Sequence, residues 1–344
     1  MAPPYVTPLK KWLEKLTSTR LLTWMSPCIW GWADGYNGVR WFLHGNAIGR
    51  IIVNTFWLIL GSDVIALNKY DAHPETAKLK PWSNPLFIGS SLSILNYETD
   101  FFDLVRDGIV SVHIADIIEL KPKTVCLSDG IQLLTDALIC CTGWKQTSSI
   151  NFLPDPSEVG LRHIPNSREP LDLIKRADDE IFTKFPRLKD QPKANPKAKA
   201  MEKVNGDGDL TPYRLYRFMV PPSMTNTHDI AFAGYMLTIA TTSCAQLQAL
   251  WIAAYFDGKI ALPEDINYQT ILHSRFGKWR CPAGFGDRFP DLAFDSFPYM
   301  DMLLFDLGLP RHRKEGMIKE ILEPYGVEDY RGLVDEWKAA QKKA

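Results

Sequence analysis

The chain has 344 residues, 46% of them apolar, with 11 Trp, 17 Phe and 12 Tyr. This is enough bulky material for two domains or one large domain with insertions. Its 39 basic and 40 acidic residues leave a formal charge of −1, which argues against a dedicated nucleic-acid binder. Six cysteines (28, 126, 140, 141, 244, 281) form no CxxC pair, and seven histidines form no HxxxH, so no metal site is expected and a reducing, cytoplasmic setting fits best.

In chain order, the opening Met1 to Pro8 has no basic stretch leading into an apolar one, so no signal peptide is expected. Leu9, Trp12, Leu13 and Leu16 recur at helical spacing, with Lys10, Lys11, Glu14 and Lys15 on the other face. This predicts an amphipathic, basic helix that packs on a core or faces a membrane surface or partner. An aromatic segment from Trp24 to Trp41 follows, with turns expected at Asp34-Gly35 and Asn37-Gly38. Residues 48–67 read as one buried helix. No membrane span is expected: Arg50 and Asp63 bracket the apolar part of that helix, and the uncharged stretch 230–256 is interrupted by Gly234, threonines, Gln246 and Gln248. A peripheral membrane contact stays open.

After Pro81 and Pro85 the pattern changes to short β-like runs at 109–114, 116–120, 124–127 and 131–134, with Ser128-Asp129-Gly130 as a hairpin turn. Ala137 to Cys141 is an apolar run of the kind buried on both faces of a parallel sheet, so Cys140 and Cys141 are expected as buried, reduced thiols. The run stops at Thr142-Gly143-Trp144, and a strand ending in Gly at a carboxyl edge is where α/β folds place ligands. Asp178-Asp179-Glu180 reads as a solvated charge run beside a loop. Residues 185–211, rich in Lys and Pro, read as a mobile surface loop. Asp229 to Gly234 reads as a second buried strand ending in Gly, with His228 beside it as a structural residue. From Ser243 to Phe256, Leu247, Leu250, Trp251 and Ala254 predict a helix stopped by Gly258. The tail is helical after Pro310.

Four segments carry a resemblance. They are Thr124 to Gly130; Asp136-Ala-Leu-Ile-Cys-Cys-Thr-Gly-Trp144; Leu215-Tyr-Arg-Phe-Met-Val-Pro-Pro222 with Ile230-Ala-Phe-Ala-Gly-Tyr235; and Ala245-Gln-Leu-Gln-Ala-Leu-Trp251 with Gly258-Lys-Ile-Ala-Leu-Pro263. In this order they resemble the C-terminal portion of the flavin-containing monooxygenases. The aromatic N-terminal region is similar to the fungal branch of that family. The resemblance implies an α/β fold: an incomplete two-dinucleotide-binding flavoprotein fold with extra helices at both ends. It divides the chain into an insert and remnant of an NADP-binding domain (1–97), the β-rich end of that domain (98–145), a return to an FAD-binding domain (146–262, with the loop at 186–211) and a helical tail (263–344). It implies an FAD- and NADPH-dependent oxidoreductase acting on a small organic metabolite, in fungal specialised metabolism. Thr142, Gly143, Trp144, Gly234, Thr238 and Thr242 would lie near the cofactors; hydroxyls of the last two, with Thr241, could reach the flavin or serve as caps and core groups. The resemblance assigns no catalytic base.

Departures are as informative. Cys141, Gln246 and Leu250 replace the Ala, Glu and Arg usual in the family pattern, and the 344 residues contain no GxGxxG. The nearest approaches, Gly206-Asp-Gly208 and Gly284-Phe-Gly286, follow no strand and make no phosphate cradle. The competing reading is therefore a truncated, non-redox homologue, serving as a scaffold or non-redox catalyst, or an incomplete gene model.

Overall fold

A computed structural model describes residues 5–6, 11–89, 93–95, 97–143, 150–153, 156–163, 170–193, 211–282, 286–288 and 290–342. They form two compact units. One comprises Met1–Asn68, Pro81–Asn96 and Phe152–Ala344; the other comprises Lys69–Lys80 and Tyr97–Asn151. Helix and sheet are mixed.

The first unit begins with a two-stranded antiparallel ribbon, β1 (Tyr5–Val6) and β2 (Lys11–Trp12), in which Tyr5 opposes Trp12. The expected helix therefore starts only at Leu13, as α1 (Leu13–Thr17), because cross-strand pairing draws Trp12 into the ribbon. The amphipathy holds from there: Leu13 and Leu16 are buried, Glu14 and Lys15 exposed. Helix α2 (Arg20–Met25) leads to a 3₁₀ turn at Gly31–Asp34, ended by Gly35 at φ 81°. Asn37-Gly38 does not turn the chain; it opens helix α3 (Asn37–Gly45).

Helix α4 (Ala47–Leu67) is capped by Asn46, whose side chain accepts from the Gly49 amide at 2.9 Å. Its extent matches expectation but its burial does not. Gly49, Val53, Trp57, Leu60 and Val64 form a buried stripe, whereas Ile48, Ile51, Ile52, Leu58 and Ile59, with Asn54 and Thr55 among them, face outward. The reason is that α3, the Pro85–Phe87 turn and Phe294 cover one side only.

Helices α7 (Leu171–Lys184), α8 (Thr241–Phe256), α9 (Ile266–Arg280) and α10 (Ser296–Asp306) build the core, followed by α11 (Met317–Leu322) and α12 (Leu333–Gln341). In α8 the four predicted positions Leu247, Leu250, Trp251 and Ala254 are all buried. Gly258 at φ 65° ends it: the Gly258 amide bonds the Tyr255 carbonyl and the Lys259 amide the Ala254 carbonyl, a Schellman closure. Helix α7 overturns the solvated-run reading of Asp178 and Glu180. Packed on α9, Asp178 pairs with Arg275 at 2.5 Å and accepts from Trp279 at 2.8 Å, while Glu180 accepts from Tyr268 at 2.6 Å. The predicted loop likewise begins with order, a 3₁₀ turn at Pro186–Lys189 that buries Leu188; residues 194–210 lie outside the described residues.

Asp229 to Ala233 is not a strand. The Phe232 amide makes a single bond to the Met219 carbonyl. The strand comes after Gly234, as β6 (Leu237–Thr238), which runs parallel to β7 (Asp291–Leu292). The pairing edge offered by β7 lies opposite 237–238, so the ladder forms there rather than upstream.

In the second unit, α5 (Pro74–Ala77) and α6 (Phe101–Arg106) pack around Tyr70 and Phe102, whose rings meet edge to face at 5.0 Å. Strands β3 (Ile117–Lys121), β4 (Thr124–Leu127) and β5 (Gln132–Leu134) form an antiparallel meander, with Gly130 at φ 88° in the expected hairpin turn. The β-like run at 109–114 forms no strand. Ala137 to Cys141 is also not a strand. It is extended and exposed, and Cys140 and Cys141 are exposed thiols rather than buried ones. The meander stops at β5, and no described strand pairs with the run on either side.

Candidate functional site

Of the expected residues, Gly234 and Thr238 lie in the first unit between the 229–233 segment and α8, and Thr242 lies in the first turn of α8. Gly234 has φ 79°, a left-handed conformation that favours glycine, and an added Cβ would meet nothing within 4 Å. Its amide donates to Gln248 Oε1 at 3.1 Å. Gln248, buried in α8, donates in turn to the Tyr299 hydroxyl at 2.9 Å, and that hydroxyl donates to the Arg217 carbonyl at 2.9 Å. The turn is thereby fastened to α8 and α10.

Thr238 is held at both ends of its hydroxyl: it donates to Ser296 Oγ at 2.8 Å and accepts the Ala240 amide at 3.1 Å. The Thr241 hydroxyl bonds back to the Thr238 carbonyl at 3.1 Å, and Thr242 is exposed. Thus the half-buried Thr238 hydroxyl braces the turn. The N-cap of α8, Ala240, makes no side-chain cap, and Thr241 and Thr242 stand exposed at the start of this 16-residue helix.

Next to this turn lies a cavity of about 180 Å³, lined by Leu237, Thr238, Ile239, Asp291, Ala293 and Phe294, with Thr17, Gly89 and Ile94. Gly89 is required by close approach: a Cβ there would fall 2.2 Å from Asp291 Oδ2. The wall therefore combines apolar surface, the two threonines and one buried carboxylate. The adjacent Cys244 thiol, beside Thr238 at 3.6 Å, is pushed up to about 12 by burial and is no nucleophile at neutral pH. Burial likewise raises the Tyr299 hydroxyl far above its ordinary value. A second cavity of about 200 Å³ involves His163, Arg214, Asn267 and Thr270.

The other expected residues belong to the second unit. Thr142 and Gly143 are exposed at the end of the 137–141 run, with Gly143 at φ 78° and nothing within 4 Å of an added Cβ. Trp144 lies outside the described residues. Gly89, Asp291 and Ser296 were not foreseen: they come from distant parts of the chain and carry no local motif. Gln248 sat in a quoted segment, but only the fold gives it the Gly234 amide.

The fit to a flavin is partial. Helix-start amides and exposed hydroxyls suit an electron-rich ring or ribityl edge, and a carboxylate suits an N–H. A cavity of about 180 Å³ is below the roughly 300 Å³ at which whole-cofactor sites begin, so these residues could hold one edge of the group.

Comparison with known proteins finds extended similarity. The chain is 30% identical over 95% of its length to the FAD-dependent monooxygenase avaB of Aspergillus versicolor, covering 52% of that protein. It is 28% identical over 95% of its length to the FAD-dependent monooxygenase resA of Aspergillus sclerotiorum, covering 58%. It is also 28% identical over 94% of its length to the FAD-dependent monooxygenase DEP4 of Fusarium langsethiae, covering 56%. Along nearly its whole length the chain is similar to proteins named as FAD-dependent monooxygenases. These three relatives are fungal, and the chain spans a little over half the length of each. No family model and no solved structure matches it.

Proposed function

We propose that this chain is the substrate- and flavin-facing portion of an FAD-dependent monooxygenase that uses NADPH and acts on a small organic metabolite in fungal specialised metabolism. The observation that carries the reading is the alignment of 95% of the chain with proteins named as FAD-dependent monooxygenases. The incomplete two-dinucleotide fold belongs to the same proposal. So do a cytoplasmic setting and the assignment of Thr142 and Gly143 to the NADP side.

FAD, when bound, supplies the redox chemistry with O₂; the chain's residues position it and exclude water. In this reading the exposed start of α8, with Thr241 and Thr242, faces the flavin. Thr238 and Gln248 are positioning residues, the first bracing the turn through Ser296 and the second fixing the Gly234 amide. Asp291 offers an acceptor on the cavity wall.

The test is the absorption spectrum of the purified chain with added FAD, together with NADPH oxidation. A bound, yellow flavin whose affinity falls in Asp291→Ala supports the reading. A folded but colourless chain that takes up no FAD overturns it.

A further inference from the structure

The outward stripe of α4 is the largest feature that the flavin reading does not absorb. Ile48, Ile51 and Leu58 on this stripe are 66%, 64% and 64% exposed, and Trp41 of α3 beside it is 70% exposed. A surface helix ordinarily turns charge to water. Here no charged residue lies between Arg50 and Asp63, and over that stretch, about 18 Å of helix, the outer face is mainly apolar, interrupted by Asn54 and Thr55. By length and composition Ala47–Ala72 could even cross a bilayer, with a mean hydropathy of 1.6 and 28% of its most apolar window buried. Its inner stripe excludes that geometry: Trp57 is buried, donates to the Met25 carbonyl at 2.7 Å and packs on Phe294 at 5.1 Å. The helix is bound to its unit along one side and open along the other.

We propose that this face rests on a lipid bilayer, with α4 lying in the plane of the membrane. Two observations favour a membrane over a protein partner. Arg20, Arg40 and Asp34 are buried and paired, and the other charges of residues 1–68 are four basic (Lys10, Lys11, Lys15, Arg50) against two acidic (Glu14, Asp63), an excess of +2 in a chain of net −1, complementary to anionic lipid. The flank is also aromatic in the manner of an interfacial anchor. The β1–β2 ribbon that packs beside α4 presents Tyr5 and Trp12, edge to face at 6.1 Å and both exposed, and Trp41 and Phe42 stand exposed on α3. Such a surface would hold the protein where apolar substrates dissolve.

The test is co-sedimentation of the full chain with vesicles of phosphatidylcholine, alone and mixed with phosphatidylserine. The wild-type chain is expected to sediment with vesicles, more strongly with phosphatidylserine, and Ile51→Glu/Leu58→Glu to lower the partition coefficient by about tenfold or more. Both positions are exposed, so folding should survive; Ile51→Ser/Leu58→Ser, which adds no charge, should show a smaller loss in the same direction. A wild-type chain that stays in the supernatant with both vesicle types overturns the proposal. So do a Glu pair that binds as well as wild type, and a dimer that the Glu pair dissociates while vesicles bind neither form. None of these readouts depends on flavin binding.

Discussion

Gly234 and Gln248 are joined by one hydrogen bond, from the Gly234 amide to Gln248 Oε1 at 3.1 Å, and it links the left-handed turn to the buried side of α8. Replacing Gln248 with Leu keeps the volume but strips an acceptor from that amide and a donor from the Tyr299 hydroxyl. Leaving such groups unsatisfied is worth about 1–3 kcal/mol. Gln248→Leu should lose that much stability in urea unfolding, and any flavin affinity should fall with it. Gly234→Ala meets no steric neighbour, so its loss should be the about 1–2 kcal/mol of left-handed strain alone.

A buried ion cluster ties the two ends of the chain together. Arg20 bonds Asp301 through both guanidinium nitrogens Nη1 and Nη2 and reaches Glu320 from Nε at 2.7 Å, with all three residues at most 2% exposed. Burial pushes the Asp301 carboxyl up, against the pull of Arg20. Arg20→Ala would leave two carboxylates without their counter-charge and should destabilise by about 3–5 kcal/mol. Adding Asp301→Asn should restore part of that loss, because the second change removes one stranded charge. Chemical denaturation of the two variants and their double mutant checks both the size and the sign.

Thiol reactivity separates the structure from the sequence expectation most directly. Cys140 and Cys141 are exposed, whereas Cys28, Cys126, Cys244 and Cys281 are buried. Burial raises the thiols of Cys28, Cys244 and Cys281 and keeps them protonated. A disulfide reagent at pH 8 should therefore label two thiols quickly and the remainder only in urea. Cys140→Ser/Cys141→Ser should abolish the fast phase. If the native chain shows no fast thiols, the 137–141 run is covered after all.

What the sequence made legible was local. The spacing of Leu247, Leu250, Trp251 and Ala254, with Gly258 as a stop, defined α8, because those signals lie within one helix. Ser128-Asp129-Gly130 defined a hairpin for the same reason. The failures concern neighbours. Ala137 to Cys141 has the composition of a doubly buried strand, yet burial depends on flanking strands that no described segment supplies. Ile48 to Leu67 is the predicted helix, but apolarity on both faces could not say which face the fold would cover. Asp291 and Gly89 meet at one cavity from positions some two hundred residues apart, and neither carries a motif. The four quoted segments pointed to the same kind of relatives through side-chain identity rather than through correct strand assignment.

Two histidines set the acid limit of this fold. In α3, His44 donates from Nε2 to the Trp24 carbonyl at 2.9 Å, and burial, with Arg40 and Arg280 nearby, lowers it to about 4. In α9, His273 lies against Trp30 and Phe218, and burial, with Arg217 and Lys184, lowers it to about 3. Both stay neutral in the folded chain, whereas the unfolded chain protonates them near 6.5. Below that pH the unfolded state binds more protons, so stability falls as pH drops from 6.5 toward 4 and is fully present above. At pH 4.5 the loss should approach about 2–3 kcal/mol for each histidine. Urea midpoints at pH 7 and pH 4.5 measure it. His273→Phe, which keeps an aromatic ring and cannot take up a proton, should remove roughly half of the pH-dependent loss; an unchanged slope would mean that His273 is charged or reached by water in the native chain.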